Sequence, residues 1–161
     1  MKIIVASDTH GSSYEISLLA KIISGADIFI HLGDNNEDVD NLTRFFHGQT
    51  FEVRGNCDYF SSVPLERIEV IGNKRIFITH GHKYGVKTSY NTLLRKAKEL
   101  KVDMVLFGHT HLAELLFEDG IWMFNPGSPS MGRNGFSSYG EINILDGEIV
   151  PLIKALVNIK K

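Results

Sequence analysis

Five short apolar runs in this chain each stop abruptly in a polar cluster. Ile3-Ile4-Val5-Ala6 is continuous and β-branched, as in a strand buried on both faces, and breaks into Ser7-Asp8-Thr9-His10-Gly11. Asp27-Ile28-Phe29-Ile30-His31-Leu32 ends in Gly33-Asp34, and Thr50-Phe51-Glu52-Val53-Arg54 ends in Gly55-Asn56-Cys57-Asp58. Arg75-Ile76-Phe77-Ile78-Thr79 ends in His80-Gly81-His82, and Asp103-Met104-Val105-Leu106-Phe107 ends in Gly108-His109-Thr110-His111. Helical periodicity falls between these strands. Tyr14, Leu18, Leu19, Ile22 and Ile23 predict an amphipathic helix over 13–24, with Ser12 or Ser13 as its cap and Gly25 at its end. Val39, Leu42, Phe45 and Phe46 predict a second helix, with Asn36, Glu37 and Asp38 as its solvated start. Tyr90, Leu93, Leu94, Ala97 and Leu100 predict a third over roughly 88–101.

Glu66-Arg67-Ile68-Glu69-Val70 alternates as a half-exposed strand and returns through a Gly72-Asn73 hairpin turn. Beyond residue 111 the helical signal stops. Short strands over 112–118, 120–124, 141–145 and 148–153, with turns at Asp119-Gly120 and Asp146-Gly147, predict an antiparallel meander. Asn125-Pro126-Gly127-Ser128 reads equally as a plain turn or as a loop lining a pocket, and Trp122 as core. Residues 158–161 are expected to fray.

The chain's 161 residues fit one domain, 1–161. The net charge of −2 carries no footprint for nucleic acid or an anionic membrane, though it would not reveal a local positive site. Cys57 is the lone cysteine, so no internal disulfide can form and a reducing cytoplasm is the expected location. The N-terminal apolar run is too short for a signal peptide, and no stretch reaches the length of a membrane span.

Asp8, His10, Asp34, Asn56, His80, His109 and His111 are the candidate metal ligands. In α/β sheets, sites form outside the carboxyl ends of strands, where all seven stand. If the backbone stays extended through Gly108-His109-Thr110-His111, the two imidazoles point the same way with Cα atoms about 6.5–7 Å apart. Each could then serve one of two ions roughly 3.5–4 Å apart. Seven mixed nitrogen and oxygen ligands exceed one tetrahedral zinc and suit two divalent transition-metal ions: Mn first, with Ni, Zn, Fe or Co as alternatives. Two such ions carry +4, two aspartates reduce this to about +2, and a bridging hydroxide to about +1, a site that attracts a phosphate ester and supplies a nucleophile near neutral pH. His31, inside its apolar strand, reads as a core histidine with a hydrogen-bond partner.

Asp8-x-His10, Gly33-Asp34, Gly55-Asn56, His80 and Gly108-His109-x-His111 resemble, in order, the blocks of the calcineurin-like metallophosphoesterases. The Gly55-Asn56-Cys57-Asp58 form and the Asn125-Pro126-Gly127-Ser128 ending are similar to the small bacterial and archaeal phosphodiesterase branch. The resemblance implies an α/β fold with a two-sheet β-sandwich flanked by helices and a dinuclear site at the strand ends. It implies Asp8, His10 and His111 on one ion, Asn56, His80 and His109 on the other, and Asp34 between them. The activity implied is metal-dependent phosphodiester hydrolysis of a small or nucleotide-derived ester. Two positions depart from the family. Cys57 stands where many members carry the histidine thought to protonate the leaving group, which leaves Cys57, Asp58 and His82 as candidates for that proton. Glu37 stands where a second aspartate is expected. A phosphomonoesterase and a non-catalytic protein-binding scaffold are the competing readings, and Phe45-Phe46 and Met123-Phe124 could feed either a homo-oligomer interface or the core.

Overall fold

A computed structural model describes residues 1–133 and 135–157; the tail expected to fray, 158–161, lies outside them. In chain order the elements are β1 (Lys2–Ala6), α1 (Ser13–Ile23), β2 (Ile28–His31), α2 (Asp38–Thr43), β3 (Gln49–Glu52), β4 (Glu66–Ile71), β5 (Lys74–Thr79), a 3-10 turn (His82–Tyr84), α3 (Asn91–Leu100), β6 (Met104–Leu106), β7 (Ala113–Glu118), β8 (Ile121–Pro126), β9 (Ser138–Leu145) and β10 (Glu148–Ala155). Among the described residues the strands form two five-stranded sheets, ordered β10-β9-β1-β2-β3 and β4-β5-β6-β8-β7. β1, β2 and β3 run parallel in the first, and β5, β6 and β8 in the second.

The inner strands β1, β2, β5 and β6 are largely apolar on both sides because each side faces a different layer. Ile3, Val5, Ile28 and Ile30 of the first sheet meet Ile76, Ile78, Met104 and Leu106 of the second in a shared core. The alternate residues Ile4, Ala6 and Phe29 turn outward and are covered by Ile16, Leu19 and Ile23 of α1 and by Val39 and Leu42 of α2. On the other flank, Phe77 and Val105 are covered by Leu93, Leu94 and Ala97 of α3. The two-sheet sandwich with helical flanks implied by the family resemblance is therefore the observed architecture.

Several local expectations are corrected. Tyr14 is exposed, and Ile16 takes its place on the buried face of α1. Ser12 stands at the N-cap of α1, but its hydroxyl bonds the Glu15 carboxylate and not the backbone. Phe45 lies beyond the end of α2 and is exposed. Met123 and Phe124 are both buried in the core and unavailable to an interface. The C-terminal strands do not make one meander. β7 and β8 pair antiparallel in the second sheet, whereas β9 and β10 cross to the first, where β9 pairs antiparallel with β1. Each hairpin follows local turn chemistry, but the choice of sheet is a tertiary one, set by which edge strand remains unpaired.

The candidate metal centre

The ends of β1, β2, β5 and β6 converge at one end of the sandwich. Asp8, His10, Asp34, His109 and His111 all take left-handed backbone conformations, with φ of 58°, 48°, 60°, 69° and 60°. Each costs a non-glycine residue on the order of 1–3 kcal/mol, and such strain concentrates at functional sites. The extended geometry expected at 109–111 is thus absent: Thr110 N bonds Gly108 O at 2.8 Å and tightens the segment into a turn. The two imidazoles nonetheless fall in different donor groups, as one imidazole per ion requires. His111 groups with Asp8 and His10, and His109 with Asp34 and His80, the chosen donor atoms within each group lying within 4.8 Å of one another.

Nε2 of His10 and Nε2 of His111 face each other at 3.5 Å. Asp8 Oδ1 stands 3.2 Å from His111 Nε2. His80 Nε2 lies 4.0 Å from Asp8 Oδ1 and 3.5 Å from Asp34 Oδ2, so it touches both groups. Backbone carbonyls fix the ring orientations: His80 Nδ1 pairs with Leu32 O at 2.8 Å and His111 Nδ1 with Met131 O at 3.2 Å. A carbonyl only accepts, so Nδ1 carries the hydrogen and the Nε2 lone pair turns inward, as metal-ligating histidines require. Asp8 Oδ1 and His80 Nε2 are buried without a hydrogen-bond partner among the described residues. Leaving two such atoms unmade costs free energy that a divalent cation would recover, and the mixed nitrogen and oxygen donors fit one. Asn56, exposed on the loop after β3, adjoins Cys57, whose amide donates to Asp34 Oδ1 at 2.9 Å.

The electrostatics agree with a cation site. Burial would raise the pKa of Asp34, but the close approach and charge of His80, with the Cys57 amide, hold it well below the usual carboxylate range. Asp8 behaves likewise: burial is outweighed by its contact with His111 and the charge of His80, and its pKa falls. Burial would lower the His80 pKa, yet Asp34 and Asp8 raise it. His109 is pushed down to about 4 by burial, then by His80 and Lys87. A proton and a metal ion compete for the same imidazole nitrogens, so metal uptake here releases protons.

A buried outer layer braces these loops. Asp38 was expected in a solvated helix start; it is buried, and its Oδ2 accepts from Thr9 Oγ1 at 2.6 Å and Gly11 N at 2.9 Å, gripping the chain on both sides of His10. It supplies an outer carboxylate that Glu37, which is exposed, does not. Asn125 Nδ2 donates to Gly108 O and Thr110 Oγ1, both at 3.0 Å, and Ser128 Oγ donates to Asp8 O at 2.7 Å. The 125–128 segment is therefore scaffolding for both metal loops. His31 is fully buried, with Nε2 3.3 Å from Thr9 Oγ1 and Nδ1 accepting from Gly33 N, the core histidine expected.

Of the other candidates, the Cys57 thiol is exposed, 3.5 Å from Asn56 Nδ2, and its pKa is pushed up to about 11 by partial burial, then by the Asp34 hydrogen bond and charge. The His82 ring stands 5.4 Å from that of His80 and 6.1 Å from that of His109, with a buried Nδ1 that has no partner among the described residues. Both oxygens of Asp58 are occupied by backbone amides. A cavity of about 610 Å³ beside this loop is lined by residues that include Cys57, Glu37, Glu52, Tyr59 and Phe60.

Residues 1–147 match the calcineurin-like phosphoesterase superfamily domain. The chain is 33% identical over 135 residues to the probable metallophosphoesterase YsnB of Bacillus subtilis, covering 83% of this chain and 78% of that one. It superposes on the phosphoesterase YfcE of E. coli with a TM-score of 0.70 at 27% identity, over 98% of this chain and 100% of the other. Vps29 of Entamoeba histolytica shares the fold, with a TM-score of 0.77 at 21% identity over 96% of this chain and 99% of that one. The chain belongs to the calcineurin-like phosphoesterase superfamily, and with it to the metal-dependent phosphoric ester hydrolases.

Proposed function

We propose that this protein is a dinuclear phosphodiesterase acting on a small or nucleotide-derived ester. The observation that carries the reading is His80 Nε2, placed 4.0 Å from Asp8 Oδ1 and 3.5 Å from Asp34 Oδ2, which joins two three-residue donor groups into one centre. Asp8, His10 and His111 would hold one ion, Asn56, His80 and His109 the other, with Asp34 between them. When bound, two divalent ions, manganese being our first choice, supply a hydroxide near neutral pH and positive charge for the phosphoryl oxygens. The chain's own part is to hold its donors in place without rearrangement, which the carbonyl-fixed imidazoles and the left-handed ligand residues support.

The cavity beside Cys57 is where we place the ester substituent. Its walls offer the exposed rings of Tyr59 and Phe60 and the carboxylates of Glu37 and Glu52. Those carboxylates repel further phosphates and accept a neutral or aromatic alcohol, which favours a diester over a polyphosphate. For the leaving-group proton, Asp58 has no free oxygen, and Cys57 and His82 remain the candidates.

The test is hydrolysis of a chromogenic phosphodiester and its monoester by metal-stripped protein, with Mn, Ni, Co, Zn and Mg restored singly. We expect diester turnover with Mn or Ni, and a loss of metal-stimulated activity in Asp8→Asn and His109→Ala that exceeds the roughly 10–100-fold cost of removing an outer partner of a metal site. Retained activity in both variants overturns the assignment. Metal binding without turnover favours the scaffold reading, and faster monoester turnover the phosphomonoesterase.

A further inference from the structure

We propose that Asp58 is a positioning residue that sets the geometry of the bridging carboxylate, an inference that rests on the dinuclear reading above. Its two oxygens accept four backbone amides. Oδ2 takes Asp34 N at 2.9 Å and Gly55 N at 2.7 Å; Oδ1 takes Asn35 N at 2.8 Å and Asn36 N at 2.9 Å. Three of these amides belong to the loop after β2 and the fourth to the loop after β3. The β2–β3 pairing ends just before them, with Val53 N on His31 O at 3.0 Å. Beyond that point the Asp58 carboxylate, itself on the loop after β3, takes three consecutive amides of the loop after β2, and Asn36 Nδ2 adds bonds to Val53 O at 3.2 Å and Glu52 Oε2 at 3.1 Å.

Asp34 and Asn35 have φ of 60° and 77°, so the amides from Asp34 to Asn36 converge on one point. Convergent amides of this kind form an anion-binding concavity. Here the anion is a side chain of the protein itself, so this nest is closed to a substrate phosphate. Hydrogen bonds to an ionised acceptor are about twice as strong as neutral ones. By drawing in Gly55, Asp58 also brings Cys57 N onto Asp34 Oδ1 at 2.9 Å, which fixes one carboxylate oxygen and leaves Oδ2 turned toward His80 Nε2 at 3.5 Å. Asp58 thus acts on the centre through Asp34, and it does not donate a proton.

The experiment compares wild type with Asp58→Asn, which keeps the shape but offers only one accepting oxygen, and with Asp58→Glu, which keeps the charge. Manganese per chain, the electron paramagnetic resonance spectrum of the Mn-loaded protein, thermal stability, and kcat for diesters of graded leaving-group pKa are measured for each. We expect the exchange-coupled two-manganese signal of wild type to give way to an isolated six-line signal in Asp58→Asn. The second ion should bind at least about tenfold more weakly, the low end of the loss seen when an outer partner of a metal site is removed. The fall in kcat should be equal for good and poor leaving groups, and Asp58→Glu should recover part of the coupled signal. A rate loss that grows with leaving-group pKa, under an unchanged coupled signal, overturns the proposal in favour of proton donation. Reduced thermal stability with wild-type stoichiometry and spectrum overturns it in favour of a structural role. Should Asp58→Asn fail to fold, Asp58→Glu decides: a folded Glu variant with the wild-type coupled signal and second-ion affinity counts against the proposal, and one with both weakened supports it. A wild type that binds fewer than two ions overturns the dinuclear reading itself, and this inference with it.

Discussion

The ligand-bearing residues are strained, and their neighbours hold the strain in place. Asp8 and His10, both left-handed, flank Thr9, whose hydroxyl sits between the Asp38 carboxylate and the His31 ring. His31 is pushed down to about 4, chiefly by burial, against the opposing charges of Asp58, Asp8 and Asp38 and with a small push from His80. Since an unfolded histidine titrates near 6.5, the unfolded chain binds more protons between those values. Stability is therefore complete above about pH 6.5 and falls as pH drops toward 4, by on the order of 3 kcal/mol from this one group. His31→Gln should flatten the pH dependence of the unfolding free energy across that window; an unchanged slope would exclude His31 as its source. The ligands themselves were legible as residue types at strand ends. Asp38 was not, because its role lies in which backbone amide it reaches, and an acidic residue at a helix start looks the same whether solvated or buried.

At the scale of elements, parallel strands deliver the ligands and glycines let the strand ends approach. A Cβ at Gly108 would lie 1.9 Å from Ser7 Oγ and 2.9 Å from Asp8 Oδ2, so the end of β6 can reach the end of β1 only without a side chain there. Gly108→Ala should accordingly impair metal binding before it unfolds the protein. Leu93→Ala on α3, whose side chain is fully buried on the far flank of the second sheet, should do the reverse. It should cost about 2–5 kcal/mol by cavity formation, with metal stoichiometry intact. Denaturant melts paired with metal counts separate the two; equal metal loss in both would contradict this division of labour. Apolar runs ending in polar clusters made the strands readable one by one. The assignment of β9 and β10 to the first sheet was not readable, because two hairpins with the same turn chemistry fit either edge.

Across the whole molecule, a net charge of −2 conceals a local arrangement that gathers two buried carboxylates and four imidazoles at one end of the sandwich. No helix among the described residues is long and apolar enough to cross a membrane. Because the donors are held by the folded chain, metal should bind the native state alone. At a hundredfold excess over its dissociation constant, one such ion adds about 2.7 kcal/mol, which raises Tm by about 5–11 °C for a chain of this size. Five ordered motifs carried the family resemblance, and the two-sheet fold came with that resemblance; the periodicity predicted the individual strands and helices. The bracing by Asn125, Ser128, Asp38 and Asp58 emerged only from contacts between residues distant along the chain. The most direct test of the dinuclear account is diester hydrolysis by metal-stripped protein as manganese is titrated in, with bound metal counted at each point. Turnover should stay low through the first equivalent and rise with the second. Full turnover at one ion per chain, or none with two bound, would contradict it.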